Sequence, residues 1–288
     1  MEIQGFYGNS DHDGLSDLAL ERRRADTSIE GVEYKRERCP VGSWERITIS
    51  SERGAESIGR PMGIYDTLTL TRLDRVHTDE SYDAREEIAR ELCYLFEREG
   101  ISPDRLLIVG LGNRELTPDA IGTMSASGIE PTLHISKGDR VMFEALDCSE
   151  IAVVTPGVSS VTGMEAAEVV AGICRELKPN AVIAIDALAS RSPERLGTTI
   201  QVASTGVIPG SGLGNCRSPI NRETLGVPVI SIGVPTVINS SFFAEGEPNT
   251  RSRRERSMFV APKEIDGIVK GASEIIAGGI NQAFGILY

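Results

Sequence analysis

The chain has 288 residues, 40% hydrophobic, 25% charged and only 5% aromatic, with 30 glycines. That length suits one large α/β domain or two small ones, with an aliphatic core and many tight loops. A net charge of −12 argues against a dedicated nucleic-acid binder, and five scattered cysteines without a C-x-x-C pair argue against a zinc site and for a reducing compartment.

Residues 1–16 lack periodicity and are rich in Gly, Asp and Ser. They read as a flexible arm, with no apolar core of a signal peptide, and no later run is long enough to span a bilayer. A cytoplasmic protein without membrane contact is expected. A short amphipathic stretch follows at Asp17–Arg24. Residues 44–51 and 67–71 alternate as half-exposed strands, with turn material between them that includes Arg60. Residues 81–99 carry a helical stripe of Ile88, Leu92, Leu95 and Phe96, stopped by Gly100.

A βα alternation then begins. Leu106–Val109 reads as a buried strand, and Thr117-Pro118-Asp119 as a helix start with Thr at the N-cap. Ile151–Thr155 is a strand and Thr162–Lys178 a helix. Ala181–Leu188 is a fully apolar central strand interrupted only by Asp186. Thr199–Ser204 alternates, Val227–Val234 is buried, and Lys263–Phe284 is a terminal helix. Residues 239–257, with four closely spaced arginines, read as an exposed charged loop. The pattern predicts a three-layer α/β sandwich with a mostly parallel central sheet and a small β excursion at one edge.

Gly110-x-Gly112 follows a strand, but Glu115 stands where a dinucleotide fingerprint needs its third glycine, and no P-loop is present. Three histidines, at 12, 77 and 134, leave serine-hydrolase chemistry without an evident base, and Gly157-Val158-Ser159-Ser160-Val161 fails as a nucleophile elbow. Carboxylate chemistry remains. Asp119, at a helix start, should be held ionised by the macrodipole. Asp186, ending an apolar strand, should be held protonated by desolvation. Such a divergence makes an acid/base pair, although an Asp at a helix start is more often only a cap. Backbone donors from Gly110, Gly112 and Asn113, or from Gly210, Ser211, Gly212, Gly214 and Asn215, are candidates for substrate or oxyanion binding.

Several segments together resemble the germination protease family of endospore-forming bacteria. They are Asp17–Glu21, Glu52–Pro61, Val109–Asn113, Leu116–Gly122, Thr162–Glu165, residues 181–215 and Leu225–Val237. The resemblance runs collinearly from about residue 11 to 283. It implies an aspartic-type endopeptidase that cleaves small acid-soluble spore proteins in the spore core, with Asp119 and Asp186 as the catalytic pair and no cofactor. It also implies a fold similar to the hydrogenase-maturation proteases, a homotetramer and a self-processing zymogen. In the family the cleavage motif is an acidic residue, an apolar one, Ala, any residue and Glu. Asp17-Leu18-Ala19-Leu20-Glu21 matches it, so the expected cut is between Asp17 and Leu18, dividing a 1–17 propeptide from an 18–288 protease domain. The alternatives are a metal held by the same carboxylates with Glu165 or His134, and a non-catalytic binder of spore proteins. The chain departs from the pattern in its short 239–257 segment and in Ser16, where Thr is common.

Overall fold

The computed structural model describes residues 16–22, 29–75, 78–213, 217–239 and 258–285. Among them, nine strands form one sheet: β1 (Val32–Cys39), β2 (Gly42–Ile49), β3 (Gly63–Leu70), β4 (Arg105–Gly110), β5 (Glu150–Val154), β6 (Ala181–Ser190), β7 (Thr199–Ala203), β8 (Val229–Asn239) and β9 (Phe259–Val260). Their order is β1-β2-β3-β7-β8-β6-β4-β5, with β9 beside β8. The expected parallel character holds over β5, β4, β6 and β8. Across β1, β2, β3 and β7 the sheet is antiparallel, so the edge excursion is a half-sheet rather than a small addition.

The helices are α1 (Ala19–Arg22), α2 (Glu52–Ile58), α3 (Thr78–Arg98), α4 (Ile121–Ser127), α5 (Leu133–Gly138), α6 (Arg140–Leu146), α7 (Ser159–Thr162), α8 (Ala166–Leu177), α9 (Arg222–Leu225) and α10 (Ile265–Phe284). Side chains of a strand alternate between faces, and β6 shows what its uniform apolar run conceals. Ile183 and Ile185 pack with Leu92 of α3 and Ile276 of α10. Val182 and Ala184 pack with Val170 and Cys174 of α8 on the other face. Each large aliphatic side chain so buried contributes about 1.5–3 kcal/mol. By the same alternation Asp186 lies on the α8 face. A third cluster joins Ala19 of α1 to Ile47, Ile58, Tyr65 and Ala203.

A charged knot ties the antiparallel half to α3. Arg46 of β2 bonds Asp66 of β3 at 2.6 Å and Glu91 of α3 at 2.8 Å. Burial, reinforced by neighbouring Asp66, pushes Glu91 up to about 9. A proton on Glu91 supplies the hydrogen that the otherwise unpartnered, buried Asp66 Oδ2 needs.

Several elements differ from expectation. β1 is a further strand; its sequence VEYKRERC lacks apolar alternation because the edge of the sheet is largely exposed there. Thr117 is not an N-cap: residues Thr117–Asp119 form a 3-10 turn that precedes α4. The helix expected over 162–178 starts only at Ala166, because Thr162 ends a separate turn, α7, that Gly163 closes. β6 continues past Leu188 to Ser190, after a register shift between Leu188 and Ala189. The 240–257 part of the expected charged loop lies outside the described residues. Among the described residues no helix is long and apolar enough to cross a membrane.

Candidate active site

Asp186 is inside β6 rather than at its end, but it sits beyond the end of a neighbour. β4 stops at Gly110, which pairs with Ile185, so the register leaves Asp186 without a β4 partner. The chain leaving β4 crosses there, anchored by Leu111 N–H donating to the Ile185 carbonyl at 2.9 Å. This is the crevice at the carboxyl ends of parallel strands. Asp186 is 5% exposed, and its Oδ1 accepts from Ala187 N–H at 2.9 Å. Burial raises its pKa well above the carboxylate range, and the charges of Asp119 and Asp17 add to the rise. Arg217 and the Ala187 N–H oppose it.

Asp119 is carried into the same crevice by the 3-10 turn. Its Oδ2 accepts from Asn113 N–H at 2.8 Å. Gly112, at φ 92°, makes the approach possible, because a Cβ there would lie 2.0 Å from the Asp119 carbonyl oxygen. The expected depression of Asp119 is not found. Its pKa is raised by burial, against the opposing Asn113 N–H and the Arg217 charge. A single 3-10 turn supplies too little aligned dipole to outweigh desolvation. The two carboxyls still differ in the expected order, Asp186 being deeply buried and Asp119 half-buried.

Both line a cleft of about 490 Å³ together with Asp17, Asn113, Gly210 and Arg217. Asp17 belongs to the arm, and the core grips it. Its N–H donates to the Ala189 carbonyl at 2.9 Å, and its Oδ2 accepts from Ala189 N–H at 2.9 Å. Ser211 Oγ donates to its Oδ1 at 2.5 Å, and Arg60 stands 3.8 Å away. Gln201 spans Leu18: its Oε1 accepts from Ala19 N–H at 3.0 Å, and its Nε2 donates to the Asp17 carbonyl at 3.4 Å. Leu18 and Ala19 are fully buried.

The remaining candidates separate. Gly110 lies within β4, its position packed against the Gly122 carbonyl, away from the cleft lining. The Asn113 N–H is engaged by Asp119. Ser211 and Gly212 serve the Asp17 carboxylate; a Cβ on Gly212 would come within 2.2 Å of Asp17 Oδ2. Gly214 and Asn215 lie outside the described residues. Glu165 caps α8 and His134 is exposed on α5, neither lining the cleft. Among the described residues no group of three or more His, Cys, Asp or Glu side chains is gathered to hold a metal. Arg60, Gln201 and Arg217 were not singled out by sequence. Gln201, a polar residue between Ile200 and Val202 on the alternating strand β7, offered the clearest signal.

Two carboxyls raised by burial share one cleft with a gripped stretch of polypeptide, an arrangement that a peptidase could use. Residues 12–246 match the family model described as germination protease. A germination protease of Caldanaerobacter subterraneus subsp. tengcongensis is 36% identical over 306 residues, covering 93% of each chain. One of Clostridium perfringens is 34% identical over 313 residues, covering 93% of this chain and 94% of the relative. The chain belongs to the germination protease family. A [NiFe] hydrogenase maturation protease HycI from Thermococcus kodakarensis KOD1 superposes at a TM-score of 0.35 with 18% identity, over 60% of this chain and 90% of that one, too weak a likeness to bear on fold or function.

Proposed function

We propose that this germination protease is an aspartic-type endopeptidase that cleaves small acid-soluble spore proteins in the spore core, and that it first cuts its own chain between Asp17 and Leu18. The observation that carries the reading is that Asp17 lies in one cleft with Asp119 and Asp186, held there by the core. A water between the two catalytic aspartates attacks the Asp17 carbonyl carbon. Asp119, the less shifted carboxyl, takes the water's proton, and protonated Asp186 polarises the carbonyl and supplies a proton as the C–N bond breaks. Gln201 Nε2, 3.4 Å from that carbonyl oxygen, is the side-chain donor available to developing negative charge.

The test is intact mass of the full-length chain over time, followed by addition of a small acid-soluble spore protein. A new N-terminus at Leu18, then one defined cut in the added protein, is the expected result. A stable full-length chain, or a different new N-terminus, rejects the self-processing step.

A further inference from the structure

We infer that the core reads its cleavage segment as one helical turn carrying two carboxylates four residues apart, and that residues 189–192 at the end of β6 are the reader. The inference rests on the cut at Asp17–Leu18 proposed above and adds how the segment is recognised. Asp17 is held by Ala189 N–H, Ser211 Oγ and the more distant Arg60. Glu21 is held by Ser190 Oγ at 2.5 Å, Arg191 N–H at 2.7 Å and Ser192 N–H at 3.1 Å, with Arg195 at 3.7 Å. Three of these donors are main-chain N–H groups, at or beyond the part of β6 that β4 leaves unpaired by ending at Gly110, opposite Ile185. Charge-assisted bonds of this kind are short and roughly twice as strong as neutral ones.

The conformation of the segment is what lets so short a reader reach both acids. Ser16 Oγ accepts from Leu18 N–H at 3.1 Å and donates to Glu21 Oε2 at 2.5 Å, and Glu21 N–H donates to the Leu18 carbonyl at 3.3 Å. Asp17 stands two residues before α1, and the turn that follows brings Glu21 back towards it, because four residues rise only about 6 Å in a helical turn. In an extended peptide the same spacing covers about 13 Å. Arg60 fixes the start of the turn by donating to the Ser16 carbonyl at 2.6 Å, and Arg22 donates to the same carbonyl. Between the acids Leu18 and Ala19 are fully buried, and Ala19 packs into the cluster with Tyr65 and Ala203. What this adds to the family's motif of acid, apolar residue, alanine, any residue and Glu is that the two acids are presented on the same side of a turn.

Acid spacing separates this from reading an extended strand. Self-processing of the full-length chain is followed by intact mass for Glu21→Leu and for the double change Leu20→Glu/Glu21→Leu, which moves the acid to a spacing of three. Glu21→Leu slows the cut at least tenfold. The double change recovers most of that loss, because residues three apart still share a helical face but point oppositely on a strand. No recovery overturns the inference. Hydrogen exchange of segment 16–22, measured with the same changes in an Asp186→Asn background, reads seating without the chemistry: exchange rises tenfold or more in Glu21→Leu and returns towards the parent in the double variant. If no chain is cut, the proposed self-processing fails and exchange alone decides the turn; unchanged exchange in every variant overturns the turn while leaving the cut intact.

Discussion

Asp186 and Gln201 stand on the two sides of Gly233. β8 pairs Gly233 with Asp186 on β6 and with Gln201 on β7, so the three positions form one row on one face of the sheet. The middle position has no side chain of its own, and the Leu188 side chain packs over it, 2.5 Å from where a Cβ would stand. The arm's Asp17 lies at this row, with its carbonyl toward Gln201.

Replacing either aspartate should stop the chemistry and spare the fold. Asp119→Asn and Asp186→Asn are each expected to lower self-processing by at least 100-fold, as followed by intact mass, with circular dichroism unchanged. Full processing in either variant removes that residue from the mechanism.

Asp186 also makes a stability prediction. Its folded pKa is raised, so the stability tied to its proton is fully present below its ordinary value of 3.8 and is lost as pH rises through the folded value. Above that window a buried charge is retained, at a cost of about 1.4 kcal/mol for every tenfold by which folding tightens the carboxyl's hold on its proton. Asp186→Asn should therefore melt higher than the parent at pH 7–8, with the difference shrinking on acidification. A parent that is more stable than the variant at pH 8 contradicts this.

The Arg46–Asp66–Glu91 knot behaves in the same sense over a wider range. Glu91 moves from an ordinary 4.5 to about 9, so its contribution should fall steadily as pH rises between those values. Glu91→Gln keeps an N–H for Asp66 and a carbonyl for Arg46, and should flatten the Tm-against-pH curve from pH 5 to 9. A curve as steep as the parent's would place the dependence elsewhere.

Gly212→Ala tests the seat of Asp17 without touching the aspartate pair. The added methyl meets the Asp17 carboxylate and the Ala189 side chain, at 2.2 Å and 2.5 Å. Self-processing should slow tenfold or more while Tm shifts by only a few degrees. A rate equal to the parent's means that Asp17 does not need this seat.

Exhaustive chelation should leave self-processing unchanged, because neither His134 nor Glu165 accompanies the aspartates into the cleft. Loss on chelation, restored by a divalent cation, would reinstate a metal mechanism.

The sequence made β4, β6, β8, α3 and α10 legible because each is a long apolar run or a clean helical stripe. It singled out Asp119 and Asp186 as candidates through their place after or late in such strands, and the fold brings both to one cleft. It hid β1, whose exposed edge demands no apolar alternation, and it misjudged Asp119, since one 3-10 turn looks like a helix start in a linear string. Arg60 and Gln201 were hidden for another reason. Their partners, Ser16 and the Asp17 and Ala19 backbone, are 44, 184 and 182 residues away, and no local pattern reports a pairing across that distance.

The early end of β4, which leaves one edge of β6 open beyond Ile185, has a consequence for anyone who would redirect this peptidase. Much of the grip on the two acids comes from the main chain of residues 189, 191 and 192, which every substitution carries with it. Point changes at Ser190, Arg195 or Ser211 will weaken the preference for acids more readily than they invert it. A new preference would need the end of β6 itself rebuilt, so that its main-chain donors no longer face the two acids.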